Sequence, residues 1–330
     1  MKWRAGNPAR SRLSGGLVRL RRTEASEARL GRRQKTIVCP TDWPPHKSYF
    51  VLLLLVLPLA AQDAPEAQTE LQVERVAHGF RFTAGPVWSH DGYLLFSDIP
   101  GGRIMKFTPE GAPEAYREAS NGAAGNAFDA QGRLYTCETH ARRVTRTDKK
   151  GRIEVLADKW DGKRLNAPSD LAVSKSGHVY FTDPAFGNQQ GTRELDFYGV
   201  YHIAPKGQLS VIAKPAGRPN GIALSPDGRT LYVANSDERN IRAYDVDREG
   251  EVSNERVAVS KIDGIPLGIR ASEDGKLYVA AKGIAVYSPE GKLMSTTPVA
   301  ETPSNCAFGD ADLQTLYITA RTSLYRVRLK

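Results

Sequence analysis

The chain has 330 residues and a formal net charge of +9, and that charge is unevenly distributed. Residues 1–61 carry 12 Lys and Arg against 3 Asp and Glu, which leaves 34 residues of each sign in the remainder. Nucleic-acid binding needs a basic stripe on the folded surface. The neutral remainder offers none, so we expect no nucleic-acid partner.

The first 70 residues lack the pattern that organises the rest of the chain. Residues 1–47 are basic and have no hydrophobic period, and we interpret them as an unstructured leader, an artefact of a start codon placed too far upstream. Residues 48–61 are an apolar run that is short for a membrane span and ends in small residues. They resemble a secretory signal peptide cleaved after Ala61, which predicts an exported protein, periplasmic or secreted; a retained N-terminal membrane anchor is the alternative. Residues 62–70 are a polar linker.

Residues 71–330 repeat one unit six times. Each copy has a small-residue start, a short apolar strand, a turn rich in Asp and Gly, and a second strand centred on Tyr, or on Leu95 in the first copy. The clearest copy is PNGIALSPDGRTLYVANSD, from Pro219 to Asp237. Copies that recur every 38 to 51 residues are typical of radial arrays of small antiparallel sheets. The sequence therefore predicts an all-β fold, a six-bladed β-propeller of four-stranded antiparallel blades.

The two ends of the repeat region complete each other. The sixth copy begins near Asn305, and about three strands fit before the chain stops where a blade needs four. The run LQVERVAHGFRF after the linker alternates apolar and polar residues, as a strand does. We expect a strand near residues 71–76 to supply the fourth and to close the ring without an open sheet edge.

The residue that starts each copy lies eleven or twelve positions before the centre of the second strand. In a propeller these positions converge around the central channel, and we name them the mouth residues: Ala84, Ala124, Ser169, Asn220, Leu267 and Asn305. The second strands end at the same face, three positions after their centres, in Asp98, Glu138, Asp183, Asn235, Ala281 and Ala320. We expect a functional face that combines both sets with the loop residues His140, Arg142, Arg164 and Asn166.

The third copy carries the longest insertion, PAFGNQQGTRELDFYG, from Pro184 to Gly199. Long insertions on a rigid scaffold often shape a binding site. The two cysteines of the repeats, Cys137 and Cys306, fall in copies that are not neighbours in a six-fold ring. We therefore expect buried free thiols and no disulfide.

Four runs carry a resemblance to a known family, in the same order: FTAGPVWS, the segment from RRVTRTDKKG to VYFTDPAFG, RPNGIALSPDGRTLYVANSD and SNCAFGDADLQTLYITA. Over roughly residues 75–330 the chain resembles the gluconolactonase and regucalcin (senescence marker protein) family. The resemblance implies a six-bladed propeller that hydrolyses sugar lactones and, in some members, organophosphates. It also implies one divalent cation, often calcium or zinc, held in the channel mouth by Glu, Asn, Asn and Asp from different blades.

Carried over one position at a time, most of these implied cation ligands are absent. The Glu falls on Ala84, the first Asn on Ser169 and the Asp on Leu267, whereas the second Asn is retained as Asn220. Calcium takes six to eight oxygen ligands, and its affinity depends on how many of them are charged. We therefore expect a depleted metal site with no cofactor at this position and Asn220 as the sole retained ligand. A divalent cation, Ca or Zn, is implied only if the family mechanism persists.

Two interpretations stay open. In the first, the chain is a lactonase-type hydrolase with altered chemistry. Either Asp98, Glu138 and Asp183 hold a cation further out, or one of these acids, such as Asp183 or Glu138, is the general base and His140 or Arg164 stabilises an oxyanion. The residues expected to bind its substrate, a lactone or sugar acid, are Asn220, Ser169, Asn305, Arg164 and Asn166. In the second, the chain is a non-catalytic exported propeller that binds a small organic ligand against an apolar lining. The acids then hold turns through backbone amides, and His140 is a surface loop residue.

Overall fold

Short β-strands joined by tight turns make up nearly all of the described chain. The structure, a computed structural model, describes residues 71–329. The leader, signal segment and linker predicted for residues 1–70 lie outside the described residues. Among residues 71–329, no helix is long and apolar enough to cross a membrane.

The described residues form six four-stranded antiparallel sheets, which confirms the predicted six-bladed, all-β propeller. Strand β1 spans Val73–His78. Blade 1 consists of β2 to β5: Thr83–Ser89, Tyr93–Asp98, Arg103–Phe107 and Glu114–Arg117. Blade 2 consists of β6 to β9: Ala123–Phe128, Leu134–Glu138, Arg143–Thr147 and Ile153–Ala157. A small hairpin follows, with β10 at Lys159–Trp160 and β11 at Lys163–Arg164.

The remaining blades continue in chain order. Blade 3 consists of β12 to β15: Leu171–Val173, Val179–Asp183, Gly199–Ile203 and Leu209–Ala213. Its insertion contains a 3-10 helical segment, Gly187–Thr192. Blade 4 consists of β16 to β19: Pro219–Leu224, Thr230–Asn235, Asn240–Val246 and Val252–Val259. Blade 5 consists of β20 to β23: Ile269–Ala271, Leu277–Ala280, Ile284–Tyr287 and Leu293–Thr297. Blade 6 contains β24 to β26: Pro303–Gly309, Thr315–Ala320 and Ser323–Arg328.

The N-terminal strand closes the ring, as the sequence predicts. Strand β1 pairs antiparallel with β26 and is the fourth strand of blade 6. Blade 1 then binds blade 6 through Thr83, whose backbone N–H donates to the carbonyl of Arg321 at 2.7 Å. The Thr83 hydroxyl donates to the carbonyl of Ser323 at 3.0 Å. The two ends of the repeat region thus complete blade 6 and join it to blade 1, with β1 as the outer strand of blade 6.

The core is divided among the blade interfaces. Six hydrophobic clusters of buried residues are found in the described chain, and each one lies between two neighbouring blades. Trp88 and Tyr317, for example, stack across blades 1 and 6 with ring centroids 5.6 Å apart. Cys137 and Cys306 are buried free thiols in two of these clusters, as predicted. Burial raises the pKa of the Cys306 thiol to about 12.

Backbone contacts join the first strands of neighbouring blades around the channel. The N–H of Gly125 donates to the carbonyl of Ser169 at 2.8 Å, and the N–H of Gly221 donates to that of Leu267 at 2.6 Å. A Cβ atom on Gly125 would lie 2.6 Å from the Cα of Asp170. Glycine is required at these positions because only an absent side chain permits so close a backbone approach.

Candidate functional site

The six mouth residues line a single cavity of about 610 Å³. They reach it because the first strands lose regular pairing at this point. In blade 1 the register shifts between Ala84 and Val87, and in blade 4 it shifts between Pro219 and Ile222. Such irregularities turn side chains away from the alternation of the strand. The structure therefore places all six mouth residues around one cavity.

The polar side chains at the floor of the cavity are bonded to one another. The Ser169 hydroxyl donates to Oδ1 of Asn220 at 3.1 Å, and Nδ2 of Asn220 donates to Oγ of Ser236 at 3.3 Å. The Ser304 hydroxyl donates to the carbonyl of Thr83 at 2.6 Å. These bonds fix the orientation of the Ser169, Asn220 and Ser304 side chains and use much of their hydrogen-bonding capacity.

A carboxylate that sequence reasoning missed lies beside them. Asp170 lines the cavity and is 2% exposed. Its Oδ2 accepts hydrogen bonds from Nδ2 of Asn305 at 3.0 Å and from Nη1 of Arg270 at 3.4 Å. The arginine is mostly buried as well and supplies the opposite charge that a buried carboxylate needs.

Apolar side chains form the walls above this floor. Four of them are half-buried and line the cavity: Phe82, Ile99, Phe186 and Leu267. Phe186 belongs to the blade 3 insertion, together with the lining residues Asn188 and Gln189. Nε2 of Gln189 donates to the carbonyl of Thr139 at 3.3 Å, which ties the insertion to blade 2. His140 lies next to Thr139 and is an exposed residue of the cavity lining.

The predicted second ring of strand-end residues does not reach the cavity. Asp183, Glu138 and Asp98 are fully buried and are absent from the cavity lining. The Asp183 carboxylate accepts the backbone N–H groups of Asn166 at 2.8 Å and Ala167 at 2.7 Å. Burial raises the pKa of the Asp183 carboxyl to about 7, although these N–H groups and the charge of Arg142 act to lower it. The alternative interpretation, in which the acids hold turns, matches these contacts.

Glu138 is bound in the same structural way. Its Oε2 accepts from Nε of Arg143 at 2.7 Å and from Nδ2 of Asn121 at 3.0 Å, and Oε1 accepts from Arg117 at 3.4 Å. Glu138 is thus a buried carboxylate that is paired with two arginines. The structure therefore places Asp183 and Glu138 outside the lining of this cavity.

The predicted loop residues separate in the structure. His140 lines the cavity, whereas Arg142, Arg164 and Asn166 do not. Nε of Arg142 donates to the carbonyl of Leu165 at 2.7 Å, and Nδ2 of Asn166 donates to the carbonyl of Asp183 at 3.1 Å. Arg164 is exposed and donates to the carbonyl of Ala141 at 3.3 Å. These three side chains hold loop backbone in place because its carbonyls need donors.

The four inherited cation positions differ from the ligand set that the family resemblance implies. Ala84 and Leu267 offer no donor atom, and Oδ1 of Asn220 already accepts the Ser169 hydroxyl. In residues 71–329 no group of three or more His, Cys, Asp or Glu side chains is placed to hold a metal ion. Hard cations need several oxygen ligands, including charged ones, and of the four inherited positions only Ser169 and Asn220 carry a side-chain oxygen.

Some cavity residues that the sequence analysis did not name can be found from the repeat pattern, and others cannot. Asp170 follows a mouth residue at a position where four other copies have glycine: Gly85, Gly125, Gly221 and Gly268. An aspartate in place of a repeated glycine, at the channel axis, marks a side chain with a role there. Phe82 lies directly before β2 and Ile99 lies in the turn after β3. Nothing in their spacing marks them. Phe186 lies in the insertion that we expected to shape a binding site, and the insertion does line the cavity.

Comparison with known proteins gives consistent matches. A family model described as "SMP-30/Gluconolactonase/LRE-like region" matches residues 82–322. A gluconolactonase from Zymomonas mobilis is 33% identical over 291 residues, which cover 78% of this chain and 81% of the relative. The solved structure of a gluconolactonase from Xanthomonas campestris is 33% identical, with a TM-score of 0.73, and the match covers 79% of this chain and 90% of that one.

A more distant solved structure shares the fold alone. It is described as a calcium-binding protein, regucalcin, from Agrobacterium tumefaciens; it is 16% identical, has a TM-score of 0.68, and the match covers 79% of this chain and 96% of that one. The family model spans most of the propeller, and the first two relatives match along most of their own length. The chain therefore belongs to the SMP-30/gluconolactonase/LRE-like family.

Proposed function

We propose that the cavity binds a lactone and opens its ring by hydrolysis, without a divalent cation at the inherited position. The observation that carries the proposal is the convergence of all six mouth residues on one cavity in a chain that is 33% identical to a gluconolactonase. Because Ala84 and Leu267 stand where the family resemblance implies a Glu and an Asp ligand, we assign the chemistry to protein side chains instead.

Hydrolysis requires a group that accepts a proton from water and donors that stabilise the oxyanion formed at the lactone carbonyl. His140 lines the cavity, and a neutral imidazole has one ring nitrogen that can accept a proton. The amide of Asn220 donates one N–H to Ser236 and has a second N–H for the lactone oxygen. We assign His140 as the general base, which takes a proton from the attacking water and returns it to the ring oxygen as the acyl C–O bond breaks, and Asn220 as an oxyanion donor.

A second candidate function is ligand binding without turnover. It is favoured by the apolar side chains at two of the inherited cation positions, Ala84 and Leu267. Without carboxylates at these positions a cation is bound less well, and a cation is what polarises the substrate carbonyl in the metal-dependent reaction. The walls and floor of the cavity suit a small organic ligand equally well in this case.

One assay separates these possibilities. The full chain is mixed with a panel of lactones and esters with and without EDTA, and ring opening is followed by proton release. Turnover that is indifferent to EDTA supports the proposal, and turnover that EDTA abolishes returns the chain to a cation-dependent mechanism. Binding by calorimetry without turnover supports the second candidate.

The His140 assignment has its own test. His140→Ala is expected to lower kcat by about 100-fold, the lower end of the usual contribution of a general base. His90→Ala is the matched control, because His90 is also exposed but lies outside this cavity. Equal activity of the two variants would remove His140 from the mechanism while leaving lactone hydrolysis intact.

A further inference from the structure

Building on the proposed lactone site, we infer that its substrates are lactones with an alkyl or aryl substituent and not the polyhydroxylated lactones of sugars, and that Phe186 sets this specificity. The inference concerns which lactone enters, so it goes one step beyond the proposed reaction. Three observations carry it: the floor has few free hydrogen-bonding groups, the walls are apolar, and Phe186 is held in place.

The floor offers little to the hydroxyl groups of a sugar. Asn305 donates through Nδ2 to Asp170 at 3.0 Å and accepts at Oδ1 from the N–H of Cys306 at 2.8 Å. Ser304 donates to Thr83, and Ser169 donates to Asn220. A sugar lactone brings several hydroxyls, and a hydroxyl buried without a partner costs free energy. A ligand whose only polar group is the ring ester avoids that cost.

The walls offer apolar surface and not hydrogen-bonding groups. Phe82 and Ile99 approach from blade 1, Leu267 from blade 5 and Phe186 from the insertion, and all four are only half-buried in the protein. Each methylene that a ligand buries against such a wall contributes about 0.8 kcal/mol. That figure corresponds to an affinity gain of about fourfold per methylene.

Phe186 is fixed in position by a neighbouring blade. The guanidinium of Arg218 lies over its ring, 4.9 Å from the centroid. Arg218 is itself oriented by Asp237, which accepts from its Nε at 3.0 Å and from its backbone N–H at 2.8 Å. A cation held over an aromatic face attracts it, so the ring is a preformed wall. Phe186 is the specificity-determining residue, and Arg218 is a positioning residue that acts through it.

The test compares δ-valerolactone, δ-octalactone and δ-decalactone with D-glucono-δ-lactone, using the full chain. We expect kcat/KM to rise with alkyl length, by up to about fourfold per methylene, and to be lowest for the gluconolactone. Binding of the corresponding unreactive δ-lactams, measured by calorimetry, is expected to follow the same order without any turnover.

Phe186→Ala is expected to reduce kcat/KM for δ-octalactone by about tenfold or more, through KM, and to reduce that for δ-valerolactone by a smaller factor, because the unsubstituted lactone has no alkyl chain to bury against the deleted ring. Tyr116→Ala is the control, since Tyr116 is 44% exposed on the outer strand of blade 1, away from the cavity. Arg218→Ala is expected to reduce the dependence on chain length in part, and Arg218→Lys, which keeps a cation, to restore some of it.

The outcomes distinguish the inference from the proposed function. Faster turnover of gluconolactone than of any alkyl lactone, or a Phe186→Ala variant with unchanged chain-length dependence, would overturn the inference and leave lactone hydrolysis standing. Absence of both binding and turnover for every lactone and lactam would overturn the two together.

Discussion

Asn305 and Asp170 join opposite blades across the central channel, where Nδ2 of Asn305 lies 3.0 Å from Oδ2 of Asp170. Blades 6 and 3, which carry these residues, face each other in a six-fold ring. Arg270 of blade 5 approaches the same oxygen at 3.4 Å and donates through Nη1 to the carbonyl of Ile269 at 2.7 Å. The channel therefore contains a buried charge pair with an amide bonded to it.

We expect Asp170→Asn to lower the free energy of unfolding by about 3 kcal/mol, because it leaves the Arg270 guanidinium buried without a counter-charge. Urea unfolding followed by circular dichroism measures the change. Asp263→Asn is the matched control, since Asp263 pairs with Lys282 at 3.3 Å with both side chains highly exposed. Exposed pairs of this kind contribute about 0–1 kcal/mol. Similar losses in the two variants would show that the channel pair is not structurally important.

The sequence predicts the fold of this protein better than it predicts the residues of the site. The repeat fixes the phase of all six blades, because a period-two strand, a Gly turn and a second strand recur at nearly constant spacing. The same phase brings Ala84, Leu267 and the other mouth residues to one cavity. These are the features that local pattern encodes.

The strand-end acids show where such reasoning stops. Their register is predicted correctly, since β13 ends at Asp183 and β7 ends at Glu138. Whether the carboxylate then turns toward the cavity or toward loop backbone depends on partners far along the chain, such as Arg117 for Glu138. Buried acids are found where donors can satisfy them, and no spacing rule locates those donors.

The close approach at Gly125 predicts a large effect from a single methyl group. We expect Gly125→Ala to destabilise the protein by about 1–3 kcal/mol or more, because its Cβ would lie 2.6 Å from the Cα of Asp170, a backbone atom that cannot rotate away. Gly191→Ala is the control, since a Cβ there meets no atom within 4 Å. Its effect should stay within about 0.5 kcal/mol. Thermal and urea unfolding of both variants check the prediction, and equal stabilities would contradict the packing described for the channel.

Blade 3 carries a buried pair of histidines beside blade 4, and this pair predicts that the stability of the fold is sensitive to acid. Nδ1 of His178 lies 2.8 Å from Nε2 of His202, and the His202 ring stacks on Tyr180 with centroids 5.0 Å apart. Burial lowers the pKa of His202, with a further lowering from the charge of His178, while Glu251 and Asp247 act in the opposite direction. The folded protein therefore prefers a neutral His202.

The sign of the pH effect follows from that preference. The unfolded chain takes up the proton near the ordinary histidine pKa of about 6.5, and the folded chain takes it up only at lower pH. The contribution of neutral His202 to the free energy of unfolding is thus complete above pH 6.5, and it is lost as the pH falls below that value. We expect unfolding free energies measured from pH 7.5 to 5 to fall more steeply for the parent chain than for His202→Gln. His90→Gln, at an exposed histidine, should keep the parent slope. Parallel curves for the parent chain and His202→Gln would contradict the assignment.

The substituted mouth residues predict that cation binding can be restored. Ala84→Glu, Ser169→Asn and Leu267→Asp together place two carboxylates and an added amide beside Asn220, around one cavity. Because calcium affinity rises with the number of charged oxygen ligands, we expect the triple variant to bind calcium with a Kd of roughly 10⁻⁵ to 10⁻³ M, and calorimetry of the parent chain to show no binding in that range.

The control for this prediction keeps the shapes and removes the charges. Ala84→Gln, Ser169→Asn and Leu267→Asn offer oxygens at the same three positions, so any calcium binding that depends on the carboxylates should weaken by at least about tenfold, or about 1.4 kcal/mol. Urea unfolding of both triple variants establishes that each is folded. A flat calcium titration of a folded carboxylate variant would mean that residues 84, 169 and 267 do not surround one ion-sized space, and the assignment of the inherited position would then be wrong. Tight calcium binding by the parent chain would contradict the assignment from the other side, because Asn220 would be acting with ligands outside this set.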